Sequence, residues 1–137
     1  MEREFKRELS ALDEIFRFTD EFASACKLSE DLIYSVQLVV EELFTNFVRH
    51  NQGGRERIWI ALDREASRLM IRLKDFDVPP FQPRISDFPS AQSPLRERKA
   101  GGLGLPLIAN RVDDLRFEHA NGELCVTAIL HMEDACA

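Results

Sequence analysis

Glu42, Asn46 and His50 stand at intervals of four in the stretch from Val39 to His50. On a helix this interval stacks them in one row. The row places a carboxylate, a carboxamide and an imidazole one above another. Leu32, Ile33, Val36, Val39, Val40, Leu43, Phe44 and Phe47 recur at steps of three and four, as a core-facing stripe does. At about 100° per residue the polar row falls beside that stripe, where a pocket wall would be. Glu41, Thr45 and Arg49 fall on the opposite flank and are expected to be solvated. Polar groups at a core boundary are costly to bury without partners, so the row is the first candidate for function.

Two further stretches carry chemistry. Gly101, Gly102 and Gly104 precede a helical pattern that runs to about Val112. Glycines there let the backbone approach an anion and aim free amides at it from the helix's positive end. The ordinary alternative is a flexible loop ending in a capped helix. Pro106 suits a first helical turn but removes one amide. Asp75 and Asp77 close a strand pattern just before Pro79-Pro80, where an acid often points into a cleft; turn-forming surface aspartates are the alternative.

The elements that must position these groups follow from periodicity. Residues 3–9 alternate weakly around Phe5 and Leu9, as a short edge strand would. Ser10 is the expected cap of a helix marked by Leu12, Ile15, Phe16, Phe22 and Ala23 and reaching about Cys26. Ser29 is the expected cap of the central helix, with Glu30 and Asp31 at its positive end. Asn51-Gln52-Gly53-Gly54 stops it. Ile58, Ile60 and Leu62, then Leu69, Ile71 and Leu73, alternate as two strands of a hairpin. Residues 75–100 hold five prolines and are expected to form a long loop. Leu115, Phe117 and His119 lead into Asn121-Gly122, a preferred hairpin turn, and residues 125–130 return as the last strand. The expected fold is an α/β two-layer sandwich, a mostly antiparallel sheet with helices on one face.

The totals narrow the class. The 137 residues fit a single domain, and 45% apolar with 31% charged residues is ordinary for a globular protein. A net charge of −6 with no basic tail or stripe argues against direct nucleic-acid or acidic-membrane binding. Cys26, Cys125 and Cys136 are odd in number and lack metal-ligand spacing, which indicates reduced thiols and a cytoplasmic location. No apolar run approaches a membrane span, and the first residues do not resemble a signal peptide.

Taken in order, the motifs resemble one family. Glu42-Leu43-Phe44-Thr45-Asn46 is similar to the N-box of the Bergerat-fold ATPases, the superfamily of gyrase, the heat-shock chaperones, histidine kinases and the MutL mismatch-repair proteins. Gly101-Gly102-Leu103-Gly104-Leu105-Pro106-Leu107-Ile108 resembles their second glycine box. Pro79-Pro80-Phe81-Gln82-Pro83 is similar to the end of the first box in the branch of bacterial anti-sigma factors that are serine-protein kinases. The resemblance runs from about Leu12 to Leu130.

It implies ATP and Mg2+ as cofactors, with Asn46 as magnesium ligand and Glu42 as general base toward a serine hydroxyl. Glu41 is the competing base, but it lies off the row. Gly101, Gly102, Leu103, Gly104 and Leu105 would wrap the phosphates. Residues 81–100 would form an ATP lid in which Lys99, with Arg96 and Arg98, neutralises charge or simply remains solvated. His50 matches a position often occupied by histidine in this branch and would give structural support. The family's first box is Asp-x-Gly, whose aspartate binds the adenine amino group. Asp75 takes that role, with Asp77 standing where the glycine belongs. A gapless match through Pro80-Phe81 would instead put Phe76 at the aspartate and Val78 at the glycine. Either way the glycine is missing.

The implied function is an anti-sigma factor and serine kinase in a partner-switching pathway. It would bind a sigma factor, phosphorylate a STAS-domain anti-anti-sigma partner, and form a homodimer. The altered first box leaves a second expectation: a protein-binding switch of the same fold with weak or no ATP binding. Phe18 and Phe22 are candidates for a partner face, with burial in the core as the simpler account.

Overall fold

A computed structural model describes residues 1–50, 57–76, 108 and 111–132. Its elements are β1 (Glu2–Lys6), a 3-10 turn (Leu9–Ala11), α1 (Leu12–Cys26), α2 (Glu30–His50), β2 (Arg57–Glu65), β3 (Arg68–Asp75), β4 (Asp114–Ala120) and β5 (Glu123–His131). The strands form one sheet in the order β1-β2-β3-β5-β4, and each of these neighbours pairs antiparallel. Both helices lie on one side of it, which is the expected two-layer sandwich.

The inward face is built by alternation. Ile58, Ile60 and Leu62 of β2, Leu69, Ile71 and Leu73 of β3, and Leu124, Val126, Ala128 and Leu130 of β5 are all buried. They meet Ile15, Phe18 and Phe22 of α1 and Val36, Val39, Val40, Leu43, Phe44 and Phe47 of α2 in one cluster. Burial of each large side chain stabilises the fold by about 1.5–3 kcal/mol. A one-residue slip of β3 would turn Leu69, Ile71 and Leu73 outward and bring Arg72 in, so the register is strongly specified. β1 is held to the core by Phe5, whose ring meets Phe18 edge-on at 5.4 Å between centroids.

One local expectation is corrected, and one pair of alternatives is decided for the simpler account. Ser10 does not cap α1: the chain enters through the 3-10 turn, Ala11 precedes the helix without a side-chain cap, and the Ser10 hydroxyl donates to Glu8 at 3.2 Å. Phe18 and Phe22 offer no partner face, since both are buried. The chain leaves α1 through Lys27, left-handed at φ 52°, and the Leu28 N–H then reaches the Ala23 carbonyl at 3.0 Å.

Ser29 does start α2, its hydroxyl oxygen accepting the Leu32 N–H at 3.3 Å. Ser29→Ala should therefore lower stability by about 1 kcal/mol. The check is urea unfolding, in which the midpoint falls while the slope stays constant. The Asn121-Gly122 hairpin turn is also present, with φ of 55° and 78°.

Of the helix expected after the glycine cluster, the described residues show its end. Ile108 and Arg111 are helical, Ile108 is fully buried, and the Val112 N–H donates to the Ile108 carbonyl at 3.0 Å. Arg111 fastens this end to α2. Its guanidinium lies 4.6 Å from the Tyr34 ring centroid and donates to the Ser35 hydroxyl at 3.1 Å and to Asp31 at 3.4 Å. No helix among the described residues is long and apolar enough to cross a membrane.

Candidate functional site

The second half of α2 carries the row expected from the sequence. Asn46 is buried and Glu42 half-buried at the margin of the apolar stripe. The opposite flank is drier than expected: Arg49 is exposed, but Glu41 and Thr45 are half-buried. The His50 side chain lies outside the described residues.

The Asn46 amide nitrogen donates to the Glu42 carbonyl oxygen at 2.7 Å. The helix thus engages the nitrogen of the carboxamide, and the oxygen remains as the atom to present to a cation. Asn46 also lies close to the C-terminal end of α2, where the helix dipole favours positive charge. Among the described residues no three His, Cys, Asp or Glu side chains converge as a metal cage. Magnesium does not require one, because it usually retains waters and binds substrate phosphates alongside one or two protein oxygens. Asn46 fits that mode.

Glu42 has its pKa raised above the ordinary carboxylate value. Burial is the main cause, the neighbouring charge of Glu41 adds to it, and Arg49 opposes it. A carboxylate moved in this direction is a better proton acceptor near neutral pH. Perturbed carboxylates cluster at working sites, which makes Glu42 a candidate base.

Asp75 ends β3 opposite Leu124 of β5 and is 1% exposed. It shares the inward face of Leu69, Ile71 and Leu73, so it points toward the helical layer. Its Oδ1 accepts the Phe76 N–H at 2.9 Å and pairs with the Arg7 guanidinium. Arg7 donates its other terminal nitrogen to the Phe47 carbonyl at 2.9 Å. That carbonyl is one of the last four of α2, which have no partner within the helix. One guanidinium therefore joins the segment after β1, the end of β3 and the end of α2, next to Asn46.

Sequence reasoning did not single out Arg7. Within Lys6-Arg7-Glu8 it looks like a solvated charge, and its partner lies 68 residues away. The available signal was parity, since Arg7 is two residues beyond the inward-facing Phe5. The structure brings Glu42 and Asn46 together on α2 and ties Asp75 to the same helix through Arg7. Asp77, Arg96, Arg98, Lys99 and the run Gly101, Gly102, Leu103, Gly104 and Leu105 lie outside the described residues.

Compared with models of protein families, residues 5–130 match the histidine kinase-like ATPase domain. No curated protein matches the chain.

Proposed function

Because the chain belongs to the histidine kinase-like ATPase domain family, we propose that it is an anti-sigma factor and ATP-dependent serine-protein kinase. In this reading the whole chain is one ATPase domain with residues 81–100 as its lid. It holds a sigma factor, phosphorylates a STAS-domain anti-anti-sigma partner, and works as a homodimer in the cytoplasm. One observation carries the catalytic part: a half-buried glutamate of raised pKa stands one helical turn before a buried asparagine whose nitrogen is engaged by the helix.

Each residue then has a task. Glu42 would take the proton of the partner's serine hydroxyl as its oxygen bonds to the γ-phosphorus and the bond from that phosphorus to the ADP oxygen breaks. Asn46 would hold magnesium through Oδ1 and Asp75 would accept the adenine amino group, while Lys99 and residues 101–105, outside the described residues, are the candidates that the resemblance supplies for the phosphates. Bound Mg-ATP supplies the γ-phosphoryl group and the charge neutralisation that its transfer requires.

The test has two stages. Asn46→Ala should weaken Mg-ATP binding by roughly one to two orders of magnitude, the size of a lost charge-assisted contact, as read by calorimetric titration. Wild-type protein mixed with ATP and a STAS partner should place one phosphate on a partner serine. Nucleotide binding without transfer would sink the kinase reading.

A second reading, a protein-binding switch with impaired kinase activity, is favoured by Asp77 standing two residues after Asp75 in place of glycine. A side chain there narrows the approach of a base, and a second carboxylate disfavours nearby phosphates. Absence of Mg-ATP binding up to millimolar concentration would select it.

A further inference from the structure

We infer that Arg7 is the positioning residue for base recognition, holding the Asp75 carboxylate in the charged, fixed orientation in which it accepts the adenine amino group. This rests on the reading of Asp75 as the adenine contact. An ionised carboxylate at 1% exposure needs a paired cation, and the Arg7 side chain, itself 7% exposed, is that cation. The guanidinium and the Phe76 N–H both converge on Oδ1. Together they restrain rotation of the carboxylate about the bond that joins it to Cβ. A carboxylate offers about four lone-pair positions, so one carboxylate can serve several donors at once.

The second arm of Arg7 makes the arrangement more than a local ion pair. By donating to the Phe47 carbonyl it sets the distance between Asp75 and the turn of α2 that carries Asn46. The base end and the metal end of the site are thereby referenced to one planar group. Lysine cannot reproduce this, because its ammonium is a point charge and lacks the two-armed plane. Arg7 acts through Asp75 and through the helix end.

The prediction concerns discrimination between bases. The probes are Mg-ATP and the Mg complex of purine riboside triphosphate, which keeps the ring and phosphates but lacks the 6-amino group. Wild type should bind ATP at least about tenfold more tightly, as loss of a hydrogen bond to a charged group implies. Arg7→Met should bring the ratio of the two affinities to about one, over and above any loss that both nucleotides share through the α2 contact. In an Asp75→Asn background Arg7→Met should have no further effect on the ratio. Arg7→Lys keeps the charge in place if the Met variant does not fold, and should lose part of the preference.

An equal loss of both nucleotides in Arg7→Met or Arg7→Lys would overturn the inference, since a merely structural role predicts that result. So would an undiminished preference for ATP. If wild type binds the two nucleotides equally, Asp75 is not the adenine contact and the inference falls, while the ATPase reading stands. If wild type binds neither, the nucleotide-site reading falls as well.

Discussion

Glu42→Gln should reduce phosphoryl transfer to the partner serine by about 10²- to 10⁴-fold, the usual contribution of a positioned general base. Mg-ATP affinity should remain close to wild type, because the carboxamide keeps the shape and Asn46 keeps its oxygen. The pH dependence follows from the direction of the shift. In the folded protein Glu42 retains its proton to a higher pH than an ordinary glutamate, chiefly because it is buried. Transfer by wild type should rise with pH through that raised value, and the residual rate of Glu42→Gln should not. Stability runs the other way. Between the ordinary and the raised value the folded state binds more protons than the unfolded chain, so Glu42 favours folding less as pH rises across that window. At neutral pH its ionised form is a net cost to the fold, which the neutral glutamine removes together with repulsion from Glu41. The variant should therefore be nearly inactive and no less heat-stable than wild type. A wild-type transfer rate in Glu42→Gln would make Glu41 the base to test next.

Arg7→Met should destabilise the fold by about 3–5 kcal/mol, the cost of leaving a buried charge without its partner. For a domain of this size that corresponds to a fall in melting temperature of roughly 10–20 °C. The pair is buried on both sides, at 7% and 2% side-chain exposure, so solvent does not screen the loss. The helix end adds to it, because Phe47 loses the donor to its carbonyl. Asp75→Asn in the same chain should recover much of the difference, since an amide at that depth is far less costly than an unpaired carboxylate. Thermal unfolding of the single and double variants measures the coupling directly. Additive losses would mean that the two side chains act independently.

The framework was legible because burial imposes periods that a sequence must obey. The alternation of Leu69, Ile71 and Leu73 locates β3, and its continuation to Asp75 places that carboxylate on the inner face. The steps of three and four from Val36 to Phe47 locate the buried side of α2 and hence the row beside it. What escaped were features decided by one contact. Ser10 has the chemistry of a cap, but its hydroxyl goes to Glu8 because a 3-10 turn precedes the helix. Arg7 differs from its charged neighbours only in sharing the strand parity of Phe5, and that parity gains meaning once β1 pairs with β2. The half-burial of Glu41 and Thr45 likewise depends on what packs over α2, and no pattern local to the helix encodes that. The base, metal and adenine roles came from resemblance, to which the structure adds the raised pKa of Glu42, the orientation of Asn46 and the burial of Asp75.

Among the described residues β1 is a border strand that pairs on one side, with β2, and of its five residues Phe5 alone is buried. Segments with so few interior contacts open locally at far lower free energy than the strands beside them. Arg7 follows β1 by one residue, so each detachment of the strand withdraws the guanidinium from Asp75 and from the end of α2. On the proposed role of Asp75, occupancy of the base subsite is thereby coupled to the fraying of a sheet margin. In that reading, whatever grips or releases the margin, another polypeptide laid along it included, acts on the nucleotide without contacting it.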